Sequence, residues 1–65
     1  MIKNEVKNYR LKKSFTQQQL ADLTNVRRET IVRLEKQLYN PSLELAIRIS
    51  DTLEQDIKML FSIDE

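Results

Sequence analysis

The chain contains no glycine, and its one proline is Pro41, so its first forty residues lack both of the residue types that most readily interrupt a helix. No internal repeat, low-complexity stretch or alternating strand pattern is visible. Such a sequence is expected to fold as helices joined by short connections. At 65 residues it has room for one domain, taken as residues 1–65, with a modest core and no spare mass for an active-site cleft.

The apolar spacing marks out five helices. Ile2, Val6 and Tyr9 recur four and three residues apart and predict a first helix running to about Lys13. Thr16-Gln17-Gln18-Gln19 matches the capping box, so a second helix should begin at Gln17. Its buried side is Leu20 and Ala21, with Leu23 or Thr24 a turn later. Asn25 is the natural stop, because Asn tolerates the left-handed conformation. A third helix restarts at once, with Val26, Ile31 and Leu34 inward and Arg28, Glu29, Arg33 and Lys36 outward. Asn40-Pro41-Ser42 breaks the pattern, since Pro disfavours helix in the residue before it and Ser is a good N-cap. The fourth helix carries Leu45, Ala46, Ile49 and Leu53. A short fifth, capped by Asp56, offers Ile57, Leu60 and Phe61.

Composition narrows the chemistry. With no Cys and no His, disulfides, thiolate zinc sites, nucleophilic thiols and imidazole bases are all excluded. The carboxylates Asp22, Glu29 and Glu35 lie among basic residues in a helical context, so an enzyme is not expected, nor a metal site or a cofactor. No uninterrupted apolar run is longer than Met59-Leu60-Phe61, far short of the roughly 20 residues of a membrane span, and a cytoplasmic location is expected. The net charge of +1 conceals a division: residues 1–39 carry +5 and residues 40–65 carry −4. A basic half facing a polyanion suits phosphate binding, although charged helix faces are also ordinary solvated surface.

Gln17-x-x-Leu20-Ala21, then Asn25-Val26, Ile31-x-x-Leu34-Glu35 and Asn40-Pro41-Ser42 fall in one register that resembles the Cro/repressor-type, or XRE, helix-turn-helix family over nearly the whole chain. The resemblance implies an all-α, five-helix, lambda-repressor-like domain whose second and third helices, about residues 17–36, form a DNA-reading unit. Physical reasons for the spacing stand beside it. Ala21 is small where the third helix crosses, and Val26, Ile31 and Leu34 fasten that helix so that its other side can enter a major groove. The family usually has Gly where this chain has Ser14, Asn25, Gln37 or Leu38, and Glu54.

By resemblance, Arg27, Arg28, Glu29, Thr30 and Arg33 read bases. Arg matches guanine O6 and N7, and Glu accepts from cytosine N4. Arg27 occupies an N-cap place that favours Ser, and Arg27 and Arg28 put positive charge at the positive end of a helix dipole. Locally unfavourable choices of this kind are expected where function is selected instead. Thr16 and Gln17 resemble one phosphate-binding pair, with Thr16 equally able to serve as a cap. Lys36, Tyr39 and Asn40 resemble a second phosphate clamp. Arg10 and Glu35 match a family ion pair that is mainly structural and leaves Arg10 partly available to phosphate.

The leading expectation is sequence-specific binding of double-stranded DNA by a small transcription regulator, more often a repressor. The alternative is a protein-interaction module on the same fold, such as an antitoxin-like or accessory regulator subunit. One short reading helix contacts few base pairs, so a homodimer on DNA is expected, paired through Met59 and Ile63 in the acidic half with Leu38 in the loop nearby. No small-molecule ligand and no membrane partner is expected.

Overall fold

The computed structural model describes residues 1–63, in the order β1 (Ile2–Asn4), α1 (Val6–Lys12), α2 (Gln17–Thr24), α3 (Arg28–Glu35), α4 (Leu43–Leu53), α5 (Ile57–Leu60) and β2 (Phe61–Ile63). The five helices enclose one core built from Val6, Leu20, Ile31, Leu34, Ile49 and Leu53, each with no exposed surface. Tyr9, Phe15, Val26, Tyr39 and Phe61 pack around it half-buried.

Local chemistry sets most helix boundaries. The Thr16 hydroxyl accepts from the Gln19 N–H at 3.0 Å while Gln19 Oε1 accepts from the Thr16 N–H at 2.8 Å, closing the capping box at the start of α2. The Ser42 hydroxyl caps α4 by accepting from the Leu45 N–H at 3.1 Å. Asp56 occupies the N-cap position of α5 but makes no side-chain cap bond. Of the two candidates at the end of α2, Thr24 is the buried one and Leu23 is exposed. Thr24 can take an apolar position because its hydroxyl donates to the Leu20 carbonyl at 2.7 Å, which removes the cost of an unpaired buried hydroxyl.

Among the described residues, four non-glycine residues adopt positive φ: Ser14 (60°), Asn25 (61°), Gln37 (64°) and Glu54 (56°). These are the places where the family usually has Gly, and the structure selects Gln37 over Leu38. Each ends a helix by turning the chain through the left-handed region, so the backbone path is kept although the residue that adopts it most cheaply is missing.

Two expectations need correction. Residues 2–4 are not the first turn of α1 but a strand, paired antiparallel with β2 in the register Ile2↔Ile63, Lys3↔Ser62 and Asn4↔Phe61. The four-residue spacing of Ile2 and Val6 imitates a helix, but the partner strand lies at the other end of the chain, where local periodicity cannot reveal it. Phe61 accordingly leaves α5 for β2. Ile57, expected in the core, is exposed, and of the α5 residues only Leu60 is buried.

Candidate nucleic-acid interface

The geometry of α3 follows from what it buries. Ile31 and Leu34 are fully enclosed, as is Ala21 on α2. Val26 is half-buried in the turn between the two helices. With that side fixed, Arg28, Glu29 and Arg33 are exposed and Thr30 is half-buried. Arg27 is the N-cap residue of α3, where its donor-only guanidinium cannot accept from the first helix N–H groups, and the residue is exposed. Arg27, Glu29, Thr30, Arg33 and Tyr39 line one shallow cleft of about 360 Å³, which brings four of the five base-reading candidates together with the aromatic ring beyond the helix, whereas Arg28 is exposed but does not line it.

Behind this surface lies a buried ionic junction. Arg10 Nε donates to Glu35 Oε2 at 2.7 Å and Arg10 Nη2 donates to Glu35 Oε1 at 3.1 Å, while Nη1 donates to the Phe15 carbonyl at 2.7 Å. Both side chains are nearly enclosed, with 8% and 3% of their surfaces exposed. Gln17 Nε2 adds a third donor to the carboxylate at 3.1 Å. The Arg10–Glu35 pair is therefore present in the structural role expected of it. The guanidinium turns inward, with each of its nitrogens donating to the protein, so the expected partial availability of Arg10 to phosphate is not reflected in its exposure.

The remaining phosphate candidates are placed in two groups. Thr16 is exposed at the N-terminus of α2, beside the half-buried Gln17. Lys36 is the exposed C-cap residue of α3, followed by half-buried Tyr39 and exposed Asn40. Asn40 Oδ1 accepts from the Ile2 N–H at 3.0 Å, which orients its amide against β1.

Leu38, Met59 and Ile63 are all exposed, and the groove that Ile63 lines includes neither Leu38 nor Met59. Ile63 lines this groove of about 570 Å³ with Ile2, Ile57, Lys58, Phe61 and Ser62. Ile2, Ile57 and Phe61 continue into a second groove of about 280 Å³ bordered by Pro41, Leu43 and Ala46. This apolar face is created by the β1–β2 ribbon, and sequence reasoning missed it along with the ribbon. Also missed were Asn4 and Gln37, whose amides join that ribbon to the loop after α3. An Asn two residues ahead of a helix start, placed to accept from the Val6 N–H as it does at 3.1 Å, was the available signal for Asn4.

Among the described residues no group of His, Cys, Asp or Glu could hold a metal ion, and no helix is long and apolar enough to cross a membrane.

Comparison with known proteins fits this geometry. Residues 6–60 match the family model described as helix-turn-helix. An uncharacterized HTH-type transcriptional regulator of Archaeoglobus fulgidus is 45% identical over 64 residues, covering 98% of this chain and 90% of the relative. One from Bacillus subtilis is 33% identical, with 98% and 97% covered. A crystal structure from Bacteroides fragilis, described as that of a candidate DNA-binding protein, superposes with a TM-score of 0.85 at 26% identity, covering 95% of this chain and all of the other.

Proposed function

The chain belongs to the XRE-type helix-turn-helix family, and from that premise we propose that it binds duplex DNA sequence-specifically as a small cytoplasmic transcription regulator, acting as a repressor. The observation that carries this reading is the two-sidedness of α3, whose Ile31 and Leu34 are locked in the core while Arg28, Glu29 and Arg33 are presented to solvent. A short helix held in this way can enter a major groove as a rigid body, with Arg27, Arg28, Glu29, Thr30 and Arg33 at base edges. Thr16 and Gln17 at the start of α2, with Lys36, Tyr39 and Asn40 after α3, contact phosphate on either side and set the register. Arg10 serves the interface from behind, by holding Glu35. The working form is a homodimer on DNA, with a second copy against the apolar face that includes Ile63.

Salt titration tests the reading. Binding to a duplex selected from a random pool should weaken by about 10³-fold between about 50 and 200 mM salt if roughly six phosphates are neutralised. A flat response would replace DNA with a protein partner.

A further inference from the structure

The outer edge of β1 is closed by two side chains rather than by a third strand. On its inner side the ribbon pairs with β2, and the Glu5 N–H extends the pairing by donating to the Leu60 carbonyl at 2.8 Å. On the other side the Asn4 N–H donates to Gln37 Oε1 at 3.0 Å and Gln37 Nε2 donates back to the Asn4 carbonyl at 3.1 Å. The Gln37 amide thus takes the place a peptide group of a neighbouring strand would occupy. Two residues earlier, the Ile2 N–H is taken by Asn40 Oδ1 at 3.0 Å. The Asn4 side chain, in a residue only 7% exposed, completes the junction. Its Nδ2 donates to the Leu34 carbonyl in the last turn of α3 at 2.8 Å and to Gln37 Oε1 at 3.2 Å, and its Oδ1 accepts from the Val6 N–H at 3.1 Å.

We infer that Asn4 and Gln37 are positioning residues of the DNA interface, through which the β1 edge fixes the loop 36–40 that carries Lys36, Tyr39 and Asn40. The inference rests on the DNA-binding reading above and adds residues that touch no DNA. The turn at Gln37, φ 64°, is held by the Gln37 N–H on the Leu34 carbonyl and the Leu38 N–H on the Arg33 carbonyl, both at 3.0 Å, but these bonds fix only the first residues of the loop and leave its far end at Asn40 to be held from outside. Tyr39 packs on the core, but Lys36 and Asn40 are exposed and would otherwise sample many orientations, so tying the loop to a strand lowers the entropy that DNA binding must remove. The same junction reaches the last turn of α3, so it steadies the end of the reading helix as well.

Coupling of this kind is reciprocal: if the β1 edge orders the loop for DNA, DNA that holds the loop must hold the β1 edge. Amide exchange of the unaltered chain, measured by NMR with and without a selected duplex, should show the Ile2 and Asn4 N–H groups exchanging about fivefold more slowly, or slower still, on DNA. Unchanged protection in a chain that does bind would overturn the inference. Failure to bind any duplex from a random pool would overturn the DNA reading itself.

Gln37→Met supplies the second measurement, since it keeps the length of the side chain and removes its amide. In the folded variant, affinity should drop about tenfold on preferred and non-preferred duplexes alike, with the order of preference unchanged, and adding Asn40→Ala should weaken binding by less than it does in the unaltered chain. Full affinity in folded Gln37→Met, or strict additivity with Asn40→Ala, would overturn the positioning role. If the variant does not fold, the exchange measurement decides.

Discussion

Arg10 and Glu35 join α1 to the last turn of α3 through two parallel hydrogen bonds of 2.7 and 3.1 Å, almost out of contact with water. Fixing both ends of a planar pair constrains the direction of α3 more tightly than apolar contact alone, because the fork of the guanidinium accepts one orientation of the carboxylate. Glu35→Ala would leave the arginine charge buried without a partner and should cost about 3–5 kcal/mol, enough to unfold much of a domain this small. Arg10→Met combined with Glu35→Met removes both charges and should be far milder than Glu35→Ala alone. Urea denaturation of the two variants checks the difference. Equal losses would mean that the lost charge balance is not what destabilises.

The reading face should separate from the phosphate contacts in mutant binding data. Arg28→Ala and Arg33→Ala should each weaken the preferred site by roughly 1–3 kcal/mol and relax base preference locally. Gln17→Ala should weaken all sequences alike, partly by removing a donor from Glu35. All three should remain folded, since neither arginine is buried and Gln17 is half-exposed. Binding to a library of single-base variants of the preferred site gives the comparison, and arginine variants with unaltered preference would relocate the reading face.

Much of this was legible because helix boundaries are written locally. Thr16 with Gln19, Ser42 after Pro41, and the 3.6-residue recurrence of Leu45, Ile49 and Leu53 each act within a few residues, and the structure has α2 and α4 where they indicate. The resemblance to a family added the ion pair between residues 10 and 35, which local spacing cannot express. The ribbon was illegible for the same reason. Ile2 and Ile63 pair across almost the whole chain, and a three-residue strand leaves too few positions for alternation to be read. Without the ribbon, the exposure of Ile57 and the role of Gln37 could not be foreseen.

The left-handed positions offer a route to a more stable domain. Ser14 is exposed at φ 60°, where a Cβ is disfavoured, so Ser14→Gly should stabilise the fold by about 0.5–1 kcal/mol after allowing for the greater freedom of Gly when unfolded. At Gln37 the same change relieves the backbone but removes the amide that closes β1, and Gln37→Gly should be destabilising. Glu54→Gly differs in its pH dependence. The Glu54 carboxyl is held below its usual range by a hydrogen bond from Lys13 and then by the charge of that lysine. Its contribution is present above the ordinary carboxylate pKa and is lost as pH falls through the lowered value, so Glu54→Gly should gain more at acid than at neutral pH. Thermal unfolding at two pH values distinguishes the three, and a destabilised Ser14→Gly would contradict the strain argument.

Dimer formation on DNA is the last expectation, and its geometry can be bounded. Half-sites one helical turn apart put two reading helices about 34 Å from each other, and the longest dimension of this domain is 31 Å. Neighbouring copies on such a site are therefore within reach. The two connected grooves supply an apolar surface for that contact, with Leu43 73% and Ile63 70% exposed on either side of Ile57. Leu38 and Met59 line neither groove, so a dimer that used this face would pair mainly through Ile57, Leu43 and Ile63. Pairing through a surface of so few apolar side chains should be weak in free solution but strong when a duplex holds both copies at high local concentration. Sedimentation should accordingly give largely monomer without DNA and two chains per two-half-site duplex. Ile63→Glu should abolish the second binding event while leaving binding to a single half-site unchanged, and Met59→Glu should have the smaller effect. A 1:1 complex on the two-half-site duplex, unaffected by either substitution, would rule the dimer out.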